Sequence, residues 1–192
     1  GPLGDVAPVR IENSPPDGTA PRMQMFEFSY TNPRRDGDFD AEVVIHEYGH
    51  GVSNRLTGNG SGLDALQSAG LGEGWSDWWS LMLTQKSASE TTTGRGVGTY
   101  VVGQPLSGTG IREFRYRYDI TDTTLETFAN YNLGGVEVHE SGTRWAATLW
   151  DINKLLIDKY GFEPNVYNVN SSAGNIRALK LVINALKIQP LN

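Results

Sequence analysis

Residues 41–50 read Ala-Glu-Val-Val-Ile-His-Glu-Tyr-Gly-His, and the interpretation of the whole chain depends on this stretch. An apolar run leads into two histidines that are four residues apart, and this spacing puts both imidazoles on one face of an α-helix. His46 and His50 can then reach a single metal ion. Glu47 is turned about 100° around the helix from His46, because a turn contains about 3.6 residues. It therefore lies beside the metal and not among its ligands.

Glu73 and Asp77 belong to a second motif, Gly-Glu-Gly-Trp-Ser-Asp, whose glutamate lies 23 residues after His50. A catalytic zinc site uses three protein ligands, which are imidazole nitrogens and carboxylate oxygens, and leaves one position for water. We predict that His46, His50 and Glu73 bind zinc. Glu47 is then the base that acts on the water. Asp77 lies one helical turn after Glu73. It is predicted to hydrogen-bond a ligand histidine without itself binding the metal.

Two other interpretations of these motifs can be compared with the sequence. A metzincin carries glycine three residues and histidine six residues after the second histidine. Ser53 and Leu56 hold those positions, which excludes that class, whereas a later glutamate as third ligand is typical of a gluzincin. The alternative to a metal site is a buried structural cluster, in which the histidine and glutamate side chains only hydrogen-bond one another between two packed helices.

Hydrophobic periodicity predicts a mainly helical α+β chain with a small N-terminal β element. The predicted helices cover residues 40–57, 72–86, 138–160 and about 172–187. Asp38 and Asp40 are available to cap the first of them. Residues 58–70 are predicted to form a Gly/Ser-rich loop. Residues 87–135, which many glycines interrupt, are predicted to form a long irregular segment on one wall of a cleft.

The first 33 residues give weaker signals. Residues 5–33 are rich in proline and contain two strand candidates, at 9–12 and 23–28. Residues 1–4, Gly-Pro-Leu-Gly, look like the remnant of an expression tag. We expect the remainder, 5–192, to be one catalytic domain.

Within that domain we expect two lobes, at roughly 5–86 and 87–192. No internal repeat divides the sequence further.

Composition excludes several classes of protein. The net charge of −6 disfavours binding to nucleic acid, which requires basic patches. Apolar runs are too short to predict a membrane span. The chain contains no cysteine, which excludes disulfides, thiolate zinc ligands and a cysteine nucleophile, and it lacks the Gly-x-Ser-x-Gly motif of serine hydrolases.

Alternating carboxylates at Asp36, Asp38 and Asp40 suggest a possible calcium site, because Ca²⁺ prefers oxygen ligands. The twelfth position of a calcium loop that starts at Asp36 would be Glu47, which lies inside the predicted helix. We therefore favour helix capping and a solvated turn over calcium binding.

Four stretches of the chain resemble the fungalysins, secreted zinc endopeptidases related to thermolysin. They are PPDGTAPRMQMF (15–26), RRDGDFDAEVVIHEYGHGVSNRLTG (34–58), GLGEGWSDWW (70–79) and VHESGTRWAATLWD (138–151). The resemblance implies a thermolysin-like zincin core, of which this chain is the catalytic fragment. It also implies that zinc binds His46, His50 and Glu73, that Glu47 is catalytic, and that Asp77 orients a ligand histidine.

The same resemblance gives His139 a role. Residues 134–142, Gly-Gly-Val-Glu-Val-His-Glu-Ser-Gly, are similar to the thermolysin segment whose histidine donates a hydrogen bond to the transition-state oxyanion. The alternative is a histidine that only caps the following helix. Thermolysin-like enzymes orient this histidine with an aspartate before the glycines, and Asn132 holds the nearest such position here. Glu137 or Glu140 could replace that aspartate.

A second departure from the thermolysin pattern concerns the phenol that assists the oxyanion. Residues 51–72, which would supply it, contain neither tyrosine nor histidine. Tyr116 or Tyr118 could replace it from the other side of the cleft, and Arg112 in the same stretch is a further possible substrate contact. The alternative is an ordinary half-exposed strand or loop.

The expected activity is zinc-dependent hydrolysis of internal peptide bonds in extracellular proteins by a secreted monomer. Its expected partners are protein or peptide substrates and its own propeptide, and residues 9–13 could pair with the substrate backbone as an edge strand. An alternative is a zinc-bound but catalytically incomplete fragment that acts as a substrate-binding module. A zinc aminopeptidase is less favoured, because no Gly-x-Met-x-Asn-type stretch is present to hold a free amino terminus.

Overall fold

The computed structural model describes residues 23, 25–58, 62–118 and 137–189. Across these ranges the chain is mainly helical, as the hydrophobic periodicity predicted. Its helices are α1 (Ala41–Leu56), α2 (Leu66–Thr84), α3 (Glu90–Thr93), α4 (Val138–Tyr160) and α5 (Gly174–Ile188). Two short strands, β1 (Glu27–Phe28) and β2 (Arg35–Asp36), pair in antiparallel register ahead of α1, with Glu27 opposite Asp36 and Phe28 opposite Arg35.

Helix α1 begins where the sequence predicted, because Asp40 caps it. One carboxylate oxygen of Asp40 accepts hydrogen bonds from the backbone N–H groups of Glu42 and Val43, at 3.0 and 3.4 Å. Asp36 caps the preceding 3-10 turn, Gly37–Phe39, by accepting from the Asp38 N–H at 3.0 Å. Asp36 and Asp40 therefore act as caps, and the Asp38 side chain does not cap α1.

Helix α2 begins earlier than predicted, and the expected loop over 58–70 is too long at its C-terminal end. The helix starts at Leu66 and not at residue 72. Leu, Gln and Ala are good helix formers, and the Ser68 hydroxyl donates to the Ala65 carbonyl at 2.9 Å in the first turn. Gly70, the last residue of the predicted loop, lies inside the helix.

The main hydrophobic core lies where α2 packs between α1 and α4. Trp78, Leu81 and Met82 from α2 and Trp150 from α4 are almost completely buried. Helix α5 closes the core with Ala178, Val182 and Leu186. Each large aliphatic side chain that is buried in this way stabilises the fold by roughly 1.5–3 kcal/mol. Because α1 and α2 share this core, their relative position is fixed.

Glycines allow α2 and α4 to approach unusually closely beside Glu73. A Cβ atom at Gly74 would lie 2.5 Å from the Gly142 carbonyl oxygen, and a Cβ atom at Gly142 would lie 2.5 Å from the Glu73 Cβ. Real Cβ atoms essentially never approach other heavy atoms to within 3.0 Å. The contact therefore tolerates no side chain, and it fixes the backbone of Glu73 against the first turns of α4.

We predict that Gly74→Ala destabilises the protein by about 1–3 kcal/mol, because the added methyl group forces α2 and α4 apart. Gly72→Ala is the matched control. It lies in the same helix on the other side of Glu73, and its Cβ would meet only ordinary contacts of 3.5 and 3.9 Å. This control should stabilise the helix by up to about 1 kcal/mol. Denaturant unfolding of both variants measures the difference, and equal midpoints would contradict the close contact.

Residues 94–118 are irregular but well packed, and they are attached to the N-terminal end of α1. The second carboxylate oxygen of Asp40 accepts from the backbone N–H groups of Tyr100 and Val101, at 3.1 and 3.2 Å. Glu42 forms a buried ion pair with Arg95 and accepts from the Gly98 N–H at 3.0 Å. These bonds hold the irregular segment beside the helix that carries the histidines.

The other predicted helices and the second strand candidate agree with the structure only in part. Helix α4 has the predicted bounds and ends at Gly161, whose φ of +77° favours glycine. Helix α5 begins at Gly174, two residues later than predicted, and α3 was not predicted. Among the described residues of the strand candidate at 23–28, those that form a strand are Glu27–Phe28.

Several predicted segments lie outside the described residues. They are the strand candidate at 9–12 and its extension to residue 13, the proposed tag remnant, and Asn132. No helix in the described parts of the chain is both long enough and apolar enough to cross a membrane.

Candidate active site

Helices α1 and α2 bring three side chains of the ligand type together. His46 and His50 project from one face of α1, and Glu73 faces them from α2. The two Nε2 atoms are 3.1 Å apart, the His46 Nε2 is 3.1 Å from one Glu73 oxygen, and the His50 Nε2 is 3.5 Å from the other. All three ligand atoms lie within 4.8 Å of one another, so the cluster could hold a metal ion.

These separations fit a tetrahedral zinc site. Zinc binds nitrogen and oxygen at about 2.0–2.2 Å, so adjacent ligand atoms of a regular tetrahedron would lie roughly 3.3–3.6 Å apart. The 3.1 Å between the two Nε2 atoms and the 3.1 Å from the His46 Nε2 to its Glu73 oxygen are close to that range, whereas the 3.5 Å contact of His50 is to the other Glu73 oxygen. Imidazole nitrogen and carboxylate oxygen are also the donor types that zinc accepts.

Asp77 fixes the orientation of His46. Its carboxylate is buried, and one oxygen lies 2.7 Å from the His46 Nδ1. Burial would raise the pKa of Asp77, but the Arg112 guanidinium and the hydrogen bond from His46 outweigh burial and hold the pKa well below its usual range. An ionised carboxylate only accepts hydrogen bonds, so the Nδ1 of His46 carries the proton. A neutral imidazole then presents the lone pair of Nε2 to the metal position.

Arg112 and Tyr116 donate further hydrogen bonds to the carboxylate of Asp77. The Nε and one terminal nitrogen of Arg112 each donate to Asp77 at 2.7 Å, and the Tyr116 hydroxyl donates at 2.5 Å. Tyr116 is completely buried, and backbone hydrogen bonds with Arg95 hold it in place. This placement gives both residues a positioning role behind His46, and their predicted contact with substrate stays a prediction.

The carboxylates of Asp77 and Glu73 favour a positive charge at His46. Burial alone would lower the pKa of His46, but Asp77 and Glu73 outweigh it and raise the pKa to about 10. The pKa of Glu73 is correspondingly low, because the hydrogen bonds from the two histidines outweigh burial. Either a proton or a metal cation can supply this positive charge. Metal binding releases the proton, because a histidine that binds a metal must be neutral.

Glu47 lies beside the ligand cluster, and its environment differs from that of Glu73. Its carboxylate is buried, and burial raises its pKa, while the nearby His46 and His50 oppose that shift. Within the described part of the chain, no hydrogen bond or ion pair involves this carboxylate. A buried carboxylate with a raised pKa is well suited to accept and return a proton near neutral pH.

His139 approaches the cluster from the first turn of α4. Its Nε2 lies 3.6 Å from a Glu73 oxygen, and its Nδ1 lies 2.6 Å from the Glu137 carboxylate. About half of the His139 side chain is exposed, so it borders the open side of the cluster. Of the two carboxylates that the sequence left open as its partner, Glu137 makes this contact, and Glu140 instead pairs with Arg144.

A partly buried cluster that could hold a metal has a carboxylate behind one histidine and a second carboxylate beside it, and this is the chemistry of a hydrolytic metal centre. Comparison with known proteins gives the same class. The family model described as fungalysin metallopeptidase (M36) matches residues 12–192. The chain belongs to the fungalysin family of metallopeptidases.

Similar proteins carry names of the same kind. An extracellular metalloproteinase mep of Aspergillus terreus is 39% identical over 186 residues, and extracellular metalloproteinase 4 of Arthroderma gypseum is 38% identical over 186 residues. The first match covers 93% of this chain and 29% of the relative, and the second covers 92% and 28%. The chain therefore spans less than a third of the length of these relatives.

Proposed function

We propose that this chain is the catalytic domain of a zinc endopeptidase that hydrolyses peptide bonds within protein substrates. The supporting observation is the convergence of His46, His50 and Glu73 at distances that would let them hold one metal ion, in a chain of the fungalysin family. Bound zinc would lower the pKa of a water molecule to about 7 and polarise the scissile carbonyl.

Glu47 is the proton carrier in the proposed reaction. It accepts the proton of the water that attacks the carbonyl carbon, and it returns this proton to the amine when the C–N bond breaks. The raised pKa that burial gives Glu47 suits both steps. No side-chain nucleophile is required, so the chain forms no covalent intermediate with its substrate.

His139 and Asp77 have supporting roles in this proposal. His139 donates a hydrogen bond from the open side of the cluster to the oxyanion that develops during attack, and a donor placed in advance lowers the barrier. Asp77 keeps the His46 ring in one tautomer and one orientation. Arg112 and Tyr116 in turn hold Asp77.

The wider context is also proposed from the family. The names of the relatives describe extracellular proteins, which supports secretion of the whole protein. We further propose a thermolysin-like core that acts as a monomer, with residues 5–192 as one domain of two lobes. A propeptide would then be a natural partner of the same cleft.

Metal analysis tests the centre directly. We expect one zinc per chain after dialysis against zinc and removal of the excess, together with cleavage of a quenched casein substrate that a chelator abolishes. His50→Ala should lose both zinc and cleavage. Tyr48→Ala, on the same helix with a side chain that is 68% exposed, should keep both.

Three outcomes separate the possible functions. Zinc with chelator-sensitive cleavage supports the endopeptidase. Zinc without cleavage supports the substrate-binding module. Absence of bound zinc in the unaltered chain contradicts the proposed centre, whatever the activity.

A further inference from the structure

Glu137 occupies a special position at the start of α4. It is the N-cap of that helix, and one of its carboxylate oxygens accepts from the Glu140 backbone N–H at 3.0 Å. Its other oxygen lies 2.6 Å from the Nδ1 of His139. One carboxylate therefore joins the helix terminus to the imidazole ring.

This contact determines which edge of the His139 ring faces the three candidate metal ligands. With Nδ1 directed to Glu137, the opposite nitrogen, Nε2, lies 3.6 Å from Glu73. A histidine that is half exposed samples several rotamers unless a neighbour restrains it. Rotation of the ring would turn Nε2 away from the place where the oxyanion forms.

The backbone of α4 supports the same orientation. Gly142 lies three residues after His139, and its close contact with Glu73 and Gly74 fixes the first turns of α4 against α2. The helix contact places the Cα of His139, and the Glu137 carboxylate restrains its side chain. Both components are needed to hold a hydrogen-bond donor to within about 0.5 Å of its target.

We propose that Glu137 is a positioning residue that holds His139 in its catalytic orientation, a role that rests on the proposed endopeptidase function. Its effect should appear in the transition state and not in substrate binding, since the oxyanion exists only during the reaction.

The central test is Glu137→Ser in the zinc-loaded chain. Serine is a good N-cap, so α4 keeps its capped terminus, but its side chain is too short to reach the imidazole. We expect kcat to fall by about 10–100-fold, since small misplacements of a reacting group have effects of this size. KM should stay within about twofold of its original value. Glu140→Gln is the matched control and should leave kcat nearly unchanged.

A double-variant cycle with His139→Ala separates positioning from a general structural effect. If Glu137 acts through His139, the double variant should be no slower than His139→Ala alone. Additive losses, or an equal loss in Glu140→Gln, would overturn the proposal. Equal melting temperatures of the original chain and Glu137→Ser would show that capping is preserved.

An NMR measurement tests the positioning without relying on activity. The chain has three histidines, so the His139 ring signals of the zinc-loaded protein can be assigned by their absence from the His139→Ala variant. At one fixed pH, Glu137→Ser should move the His139 ring signals toward those of a rotationally averaged histidine. Unchanged ring signals would overturn the proposal. If the original chain proves inactive, this spectrum still decides whether Glu137 holds His139, and the failure then belongs to the proposed function.

Discussion

Replacement of Glu47 with glutamine should lower peptide hydrolysis by about 10²–10⁴-fold, the usual contribution of a general acid–base residue. The amide has nearly the same shape, but it cannot accept and return a proton near neutral pH. Because Glu47 lies beside the ligands and not among them, zinc content should not change. Initial rates on the casein substrate, together with metal analysis of the same sample, measure both quantities.

The informative comparison is with His50→Ala, which should lose activity by losing the metal. Glu47→Gln should instead be inactive with a full complement of zinc and an unchanged circular dichroism spectrum. A Glu47→Gln variant that retained full activity would remove Glu47 from the mechanism. Loss of zinc from this variant would show that Glu47 supports the site in another way.

Asp77→Ala should weaken metal binding and also destabilise the fold. It removes the partner of the His46 Nδ1, and loss of such a contact usually weakens metal binding by about 10–100-fold. It also leaves the Arg112 guanidinium largely buried without its carboxylate and the Tyr116 hydroxyl without this acceptor. Removal of one member of a buried ion pair typically lowers the free energy of unfolding by about 3–5 kcal/mol.

A second substitution separates these two losses. In the double variant Asp77→Ala with Arg112→Met, the uncompensated charge is gone and apolar surface fills part of the space. Much of the lost stability should return, while zinc affinity should remain low because His46 still lacks its partner. Zinc titration with a competing chelator and denaturant unfolding give the two readouts. Zinc affinity that is unchanged in Asp77→Ala would contradict the positioning role.

The parts of the site that local spacing determines could be predicted from the sequence. His46 and His50 share a helical face because they are four residues apart, and Glu73 and Asp77 repeat that spacing on α2. The Asp40 cap and the bounds of α4 followed from equally local signals, namely a capping residue and a terminal glycine.

The parts that depend on contacts between distant residues could not be predicted. Arg112 and Tyr116 reach Asp77 from 35 and 39 residues away, through a segment without periodicity. The choice between Glu137 and Glu140 depended on the direction of one helical turn. The early start of α2 was missed because residues 58–70 were interpreted as one Gly/Ser-rich loop, although in the structure residues 66–70 lie within the helix.

The glycine contact between α2 and α4 also limits how the molecule can move. With backbone against backbone at Gly74 and Gly142, the two helices cannot slide past each other without a collision. Glu73 and His139, which lie on either side of this contact, must therefore travel as one rigid unit. In the proposed endopeptidase, any movement that admits a polypeptide or releases its products therefore has to bend the backbone outside this contact, and the relative position of the Glu73 and His139 backbones is kept.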